Sequence, residues 1–217
     1  MTAINYTCLL LLILCISTII ALPVFIRGLA RHGTGKIYEP NFVIQRLPQL
    51  VAVITILVLF VAYLKYDELL FFPKSIAWLL SLNDIIKPQY ANIVSFLGLI
   101  ILIHGLTFMI GGWYSLGNNF STDSEILPDQ KISTAGVLGI VMHPVYSGII
   151  QSLLGASLIA LSPIGVILTL YPGTSLWINR AKYEENLLVK EFGDDYLNYA
   201  KSLNWHRIIP NYRRLKS

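Results

Sequence analysis

Charged residues are scarce in this sequence, and their scarcity limits the classes of protein it can represent. Only 13% of the 217 residues are Asp, Glu, Lys or Arg, whereas soluble domains carry about a quarter. Hydrophobic residues make up 55% of the chain, and its mean hydropathy is +0.63. A soluble chain of this length would need far more polar surface to cover its core. The composition therefore excludes an ordinary soluble domain and predicts an integral membrane protein with the lipid bilayer as its partner.

Cysteine is also scarce, with Cys8 and Cys15 the two examples, both in the first apolar segment. Their separation corresponds to about 10 Å of rise on a helix, which is too far for a disulfide. The sequence contains no CxxC motif and no Cys/His cluster. We therefore expect no metal site, and we expect no nucleic-acid partner.

Stretches without charge predict the membrane spans, because one span needs about 20 apolar residues. The last charge-free run is long enough for two spans, which Pro163 separates, and Pro172-Gly173 should kink or weaken the second. The predicted fold class is all-α: a polytopic membrane bundle of about five transmembrane helices with a C-terminal cytoplasmic helical segment. The predicted spans lie within residues 1–26, 47–64, 88–122, 145–161 and 164–178.

The placement of Lys and Arg predicts an outer N-terminus and a cytoplasmic C-terminus. In this orientation the cytoplasmic parts, residues 27–46, 117–144 and 180–217, hold 13 Lys and Arg, while the outer part holds 3. Segment 74–87 is apolar but interrupted, and we predict an interfacial or re-entrant helix there. Residues 1–116 would form three spans, and residues 117–217 would form a two-helix hairpin and cytoplasmic C-terminal helices.

Candidate functional residues occur where the last two predicted spans meet the cytoplasm. Pro144 suits the first residue of a helix, where its missing N–H has no cost. His143 would then lie at the helix N-terminus, which favours an anion, and Tyr146 would share nearly the same face. Taken alone, these residues are explained more simply by a helix start with an interfacial His and Tyr.

Two further features, the pair Arg180 and Glu184 and the residue His104, are open to both structural and functional interpretation. Arg180 and Glu184 are spaced i,i+4, as in a surface ion pair or in a charged pair at the mouth of a site. Gly193, by contrast, has a mostly structural interpretation, because a glycine at this place is typical of a helix C-cap. His104, inside the third span, is either a functional group or a neutral hydrogen-bonding group between helices.

In order, these motifs resemble the isoprenylcysteine carboxyl methyltransferase family and its relatives that methylate phospholipid amines. The family pattern is a Gly, then seven residues later His-Pro-x-Tyr-x-Gly, a helical hairpin, Arg-x-x-x-Glu-Glu, Phe-Gly-x-x-Tyr-x-x-Tyr and a terminal Pro. The match covers residues 117–212. It consists of Gly136, His143, Pro144, Tyr146, Gly148, Arg180, Glu184, Glu185, Phe192, Gly193, Tyr196, Tyr199 and Pro210. The chain departs from the pattern at Met142, where the family usually has Arg, and at Leu138, where it usually has Tyr.

The resemblance implies an enzyme that uses S-adenosylmethionine to methylate a lipophilic acceptor, most simply the carboxyl group of a prenylcysteine-like substrate. It implies that residues 117–217 are the catalytic region, with the active site at the cytoplasmic face. It implies catalytic roles for Arg180 and Glu184, with Arg180 facing the substrate, and a place for the methionyl carboxylate near His143. The implied cofactor-binding residues are Gln130, Lys131, Ile132, Ser133, Leu138, His143, Pro144, Val145, Tyr146, Glu184 and Glu185.

Two other functions remain open from the sequence. A membrane reductase of the sterol-reductase type, which would use NADPH, has a similar C-terminal region. Three features argue against a reductase: the adjacent Glu184 and Glu185, the Phe192-Gly193 pair and the short chain. A non-catalytic membrane protein derived from the methyltransferase fold would be consistent with the departures at Met142 and Leu138.

Overall fold

The computed structural model describes residues 6–31, 33–36, 41–63, 78–83 and 85–212, and its main elements are helices. The predicted all-α class is therefore confirmed. Within the described residues, three helices are long and apolar enough to cross a membrane, whereas a fourth, beginning at Pro144, is apolar but shorter. The α-helices are α1 (Tyr6–Ala30), α2 (Phe42–Tyr63), α3 (Pro88–Leu116), α4 (Pro144–Ile159), α5 (Pro163–Leu168), α6 (Thr174–Phe192) and α7 (Asp194–Ser202).

The three long helices expose apolar side chains to their surroundings. Ile19 of α1, Ile56 of α2 and Ile93 of α3 are each more than half exposed. Exposed apolar surface on this scale would be unfavourable in water and is covered by lipid in a membrane. These helices therefore match the composition-based prediction of membrane spans.

Helices α3 and α4 pack closely along a seam of glycines, which we call the glycine seam. On α3 the seam consists of Gly98, Gly105 and Gly112, and on α4 of Gly148 and Gly155. A Cβ atom added to Gly105 would lie 2.6 Å from a backbone nitrogen of α4, and one added to Gly98 would lie 2.8 Å from a backbone oxygen. Only a residue without a side chain permits this approach, as in other membrane helix pairs. The seam fixes the N-terminus of α4 beside the C-terminal part of α3.

The predicted weak point at Pro172-Gly173 is confirmed as a π turn over Thr169–Gly173, between α5 and α6. Pro172 has no N–H and cannot continue the α-helical ladder. The Thr174 N–H donates to the Thr169 carbonyl, which is the i→i+5 bond of a π turn, and the Thr174 hydroxyl donates to the same carbonyl at 3.0 Å. Such turns change the direction in which the following helical face points. Helix α6 then runs on to Phe192 and carries Arg180 and Glu184.

Segment 74–87 does not form a continuous helix where the structure describes it. Residues 74–77 and 84 lie outside the described residues, and 78–83 contain turns. The Leu82 N–H donates to the Leu161 carbonyl at 2.9 Å, and the Ser81 hydroxyl donates to the Ala160 carbonyl at 3.0 Å. The backbone of residues 78–83 is irregular because its donors form hydrogen bonds with the α4–α5 turn. In a continuous helix these donors would bond to carbonyls of the same helix.

The opposite end of the bundle brings together the α1–α2 connection, the α3–α4 connection and the C-terminal segment, which we define as residues 203–212. Lys36 and Ile126 form an isolated β-bridge. The buried Glu125 carboxylate accepts the Gly33 and Gly35 N–H groups at 3.1 and 2.8 Å. These contacts connect distant parts of the chain around the residues that the motifs single out.

Candidate active site

His143 and Tyr146 lie side by side at the start of α4. Pro144 is the first helical residue, as predicted, and His143 is the N-cap. The His143 and Tyr146 rings stack with an interplanar angle of 3° and a centroid distance of 5.4 Å. Trp177 of α6 packs on the other side of Tyr146, at 4.7 Å between centroids. The helix start thus supplies an aromatic wall.

The Glu184 carboxylate faces this wall and receives several donors. Its Oε1 atom accepts the Ser124 hydroxyl at 2.6 Å and also the Tyr146 hydroxyl. Its Oε2 atom lies 3.6 Å from His143 Nδ1. Arg180 Nε approaches Oε1 at 3.4 Å, which confirms the i,i+4 pair. The pair is part of a buried network rather than a surface contact.

The Arg180 guanidinium is buried and is held by protein oxygen atoms. Its Nε donates to the Tyr146 hydroxyl at 2.9 Å, its Nη1 to the Gln45 carbonyl at 2.8 Å, and its Nη2 to the Thr122 carbonyl at 2.9 Å. Arg180 therefore joins α6 to α2, to the α3–α4 connection and to α4. Its charge lies at the site, but three of its five N–H groups are engaged within the protein.

Glu185 points to the other side of His143 and pairs with the C-terminal segment. Its Oε1 atom lies 3.1 Å from His143 Nε2. Arg207 donates to it through Nε at 2.6 Å and through Nη2 at 2.7 Å. His143 is thus placed between two carboxylates, one at each ring nitrogen.

The charges in this network shift the ionisation of its members in opposite directions. Burial alone would raise the pKa of Glu184, but hydrogen bonds from His143 and Ser124 and the charge of Arg180 outweigh it and lower this pKa to about 2. Burial alone would lower the pKa of His143, but Glu184 and Glu185 outweigh it and raise this pKa above 6.5. The arrangement favours a charged Glu184 and a protonated His143.

A cavity of about 790 Å³ connects this network to the apolar interior of the bundle. One part is lined by apolar residues of α1, α2 and α3, such as Leu14, Ile56 and Leu106. The other part is lined by the polar residues described above. A volume in this range suits a cofactor or a ligand of drug size.

Ten of the eleven residues predicted to bind a cofactor line this cavity. These residues are Gln130, Lys131, Ile132, Ser133, Leu138, His143, Pro144, Val145, Tyr146 and Glu184. Arg180 lines it too. Glu185 is not among the described residues that line the cavity. It contacts His143 Nε2, on the side of the ring away from Glu184, and pairs with Arg207.

The structure adds Ser124, Gln45, Trp177 and Arg207 to the network. Gln45 holds residue 124 in place, since its side chain accepts the Ser124 N–H at 3.0 Å and donates to the Ser124 carbonyl at 3.2 Å. Ser124 and Gln45 belong to no motif and reach the site only through tertiary contacts. Arg207 lies beside the matched Pro210 and was visible in the sequence, but nothing there indicated its partner.

The two departures from the family pattern have packing roles. Met142 is buried in an apolar cluster with Tyr196, Ala200 and Leu203. Leu138 is also buried, and its carbonyl accepts the Tyr199 hydroxyl at 2.8 Å. The Met142 side chain therefore docks α7 and the C-terminal segment against the site, whereas residue 138 contacts α7 through its backbone carbonyl.

Comparison with known proteins shows that the motif region is similar to methyltransferases. The family model described as phospholipid methyltransferase matches residues 93–195. "Protein-S-isoprenylcysteine O-methyltransferase B" of Arabidopsis thaliana is 26% identical over 179 residues, covering 82% of this chain and 81% of the plant protein. The "Protein-S-isoprenylcysteine O-methyltransferase" of Mus musculus is 29% identical over 129 residues, or 56% of this chain. That match covers only 44% of the mouse protein. The resemblance predicted from the motifs is confirmed.

Proposed function

We propose that this chain, a member of the isoprenylcysteine and phospholipid methyltransferase family, transfers a methyl group from S-adenosylmethionine to a lipophilic acceptor. The preferred acceptor is the carboxyl group of a prenylcysteine-like substrate. The observation that carries the proposal is a cavity in which an apolar part, between the long helices, meets the network of His143, Tyr146, Arg180 and Glu184.

The polar part of the cavity suits the charges of S-adenosylmethionine. Glu184 is held ionised and offers acceptor oxygens to an ammonium group or to ribose hydroxyls. Tyr146 and Trp177 present aromatic rings, which attract cations such as a sulfonium. Because His143 is itself held protonated between two carboxylates, we propose that the ammonium group of the cofactor lies beside the Glu184 carboxylate rather than beside the imidazole ring.

The cofactor, when bound, supplies an electrophilic methyl group, and the chain positions the acceptor. A carboxylate acceptor is already nucleophilic, so we propose no general base. Orientation and exclusion of water would provide most of the acceleration. We propose that the Arg180 charge attracts the acceptor carboxylate, while Tyr146 and the backbone oxygens that hold Arg180 keep the guanidinium in place.

The apolar part of the cavity would accommodate the lipophilic portion of the acceptor. We propose that α4 and the α5–α6 run are the fourth and fifth spans, which gives an outer N-terminus, a cytoplasmic C-terminus and a site at the cytoplasmic face. Residues 1–116 would then contribute the lipid-facing part of the cavity, and residues 117–217 the catalytic part. Proximity of the site to the bilayer suits a substrate that arrives from the membrane.

Calorimetric titration of the purified, detergent-solubilised protein tests the proposal. S-adenosylmethionine and NADPH would be titrated in parallel into the wild type, Glu184→Gln and Asp194→Asn. Asp194 is an exposed carboxylate at the start of α7 and serves as the matched control. We expect saturable binding of S-adenosylmethionine to the wild type and to the control, and an affinity about 10–100-fold lower in Glu184→Gln, the usual effect of losing a hydrogen bond to a charged group.

Two results of the titration would contradict the proposal. Binding of NADPH instead of S-adenosylmethionine would support a reductase, an alternative that the names of the matched relatives do not favour. Binding of neither compound to a protein with intact helical structure would support a non-catalytic membrane protein.

A further inference from the structure

Arg207 and Glu185 form an ion pair whose geometry fixes the orientation of the carboxylate. Nε and Nη2 of Arg207 each donate to a different oxygen of Glu185, at 2.6 and 2.7 Å. Two parallel bonds from one guanidinium define the plane of the carboxylate as well as its position. Glu185 is buried, with 5% of its surface exposed, so solvent contributes little to holding it.

Through this pair the C-terminal segment acts on His143. The Glu185 Oε1 atom that accepts from Arg207 Nε also lies 3.1 Å from His143 Nε2. Glu185 does not line the described cavity wall, whereas His143 does. Glu185 therefore influences a ligand in the cavity through the His143 ring.

Backbone hydrogen bonds from the residues that precede α4 hold Arg207 in this place. The His143 N–H donates to the Arg207 carbonyl, and the Met142 N–H donates to the His206 carbonyl, both at 2.9 Å. At the end of the segment, the Tyr212 hydroxyl contacts His104 of α3. The Asn211 N–H also donates to the Ile140 carbonyl at 2.7 Å. The segment is thus fixed to the same stretch of chain that presents His143.

We infer that Arg207 is a positioning residue of the candidate site: it holds Glu185 against His143 and so determines the orientation and charge that His143 presents to the cavity. The inference rests on the proposed function for what the cavity binds. The contacts themselves belong to the protein without a ligand, which allows a test that does not depend on activity.

The sign of a His143 pKa change separates positioning from a simple charge effect. His143 faces Glu184 and Glu185 of α6, Tyr146 of α4 and, through Glu185, Arg207 of the C-terminal segment. Removing the Arg207 charge while Glu185 stays in place would raise the His143 pKa, because a nearby cation is lost. If Arg207 holds Glu185, its removal lets this carboxylate move away, and the His143 pKa falls.

We would measure the His143 titration by NMR of imidazole-labelled, ligand-free protein in detergent, with His143→Gln to assign the signal. The variants are Arg207→Gln, Arg207→Lys, Glu185→Gln and the double variant Arg207→Gln/Glu185→Gln. Lys201→Gln, which removes an exposed cation of α7, is the control. We expect Glu185→Gln to lower the midpoint by about one pH unit or more and Arg207→Gln to lower it in the same direction. In the double variant, Arg207→Gln should lower it no further.

Arg207→Lys keeps the charge but lacks the paired donors, so it provides the test if Arg207→Gln does not fold. We expect it to lower the midpoint by an intermediate amount, whereas Lys201→Gln should leave it unchanged. A raised midpoint in Arg207→Gln, or an unchanged one in Arg207→Lys, would overturn the positioning role.

Titration of the same variants with S-adenosylmethionine separates this inference from the proposed function. We expect a several-fold weaker affinity in Arg207→Gln. If the wild type binds no S-adenosylmethionine but the midpoints shift as expected, the proposed function fails and the positioning of His143 stands. If the wild type binds and the midpoints do not shift as expected, the positioning inference fails alone.

Discussion

At the scale of single residues, Glu184 is where distant parts of the chain meet. Ser124 reaches it from the α3–α4 connection, Tyr146 from α4, and Arg180 from its own helix. A partly buried carboxylate is unfavourable unless its oxygens accept hydrogen bonds, and here the donors more than compensate for the partial burial. This network keeps Glu184 ionised and makes it both a stabilising residue and a candidate ligand of the cofactor.

Glu184 should make the stability of the protein depend on acid pH. Its folded pKa, about 2, lies below its ordinary value of 4.5, so its contribution is present above pH 4.5 and is lost as the pH falls toward 2. We expect a steeper loss of stability in the wild type than in Glu184→Gln over this range, measured by the thermal unfolding midpoint in detergent. Equal pH dependence of the two proteins would contradict this prediction. Asp194→Asn should behave as the wild type.

The Tyr146 hydroxyl should contribute to cofactor affinity by ordering its neighbours. It accepts from Arg180 Nε and donates to Glu184. In Tyr146→Phe both partners lose a bond while the aromatic ring remains, so we expect binding of S-adenosylmethionine about tenfold weaker with an unchanged circular dichroism spectrum. Tyr171→Phe, which alters a largely exposed tyrosine, is the control. Wild-type affinity in Tyr146→Phe would show that its hydroxyl does not order the site.

At the scale of elements, the glycine seam determines where the α4 N-terminus lies and hence where His143 and Tyr146 are presented. The helix start at Pro144 was predictable, because it depends on the local chemistry of one proline. The seam partners were not, because a glycine in an apolar run does not indicate which backbone approaches it. Likewise, Pro172 predicted a disturbance, but not that it would take the form of a π turn.

Adding one methyl group to the seam should destabilise the bundle. A Cβ at Gly105 would lie 2.6 Å from an α4 backbone nitrogen, whereas a Cβ at Gly111 of the same helix would lie 3.2 Å from a movable Val137 methyl. We expect Gly105→Ala to lower the unfolding free energy by about 1–3 kcal/mol. The matched control Gly111→Ala should change it by less than about 1 kcal/mol, with part of any cost offset by helix propensity. Denaturation in mixed micelles measures both, and equal effects would contradict the seam.

At the scale of the whole molecule, nearly all the site residues that the ordered motifs predicted line one cavity. The partners of those motifs were less accessible to sequence reasoning. Gln45 lies 135 residues from Arg180 and meets it only because α2 packs beside α6. Glu185, adjacent to Glu184 in sequence, lies on the far side of His143, because neighbouring residues on a helix point in different directions.

The proposed topology places the two ends of the bundle on opposite sides of the membrane. In a background of Cys8→Ser and Cys15→Ser, Asn83→Cys tests the end with the α4–α5 turn, and Lys201→Cys tests the end with the candidate site. We expect a membrane-impermeant maleimide added to intact cells to label position 83, and to label position 201 only after permeabilisation. The reverse pattern, or labelling of both from one side, would contradict the topology.

The most direct test of the central claim is methyl transfer itself. Purified protein would be incubated with methyl-labelled S-adenosylmethionine and either a prenylcysteine analogue with a free carboxyl group or a phospholipid amine. We predict label on the prenylcysteine analogue as a methyl ester, released as methanol by base, with Glu184→Gln strongly impaired and Tyr171→Phe unaffected. Base-stable label on the phospholipid amine would contradict the choice of acceptor. Absence of transfer to either acceptor by protein that binds S-adenosylmethionine would contradict the proposed reaction.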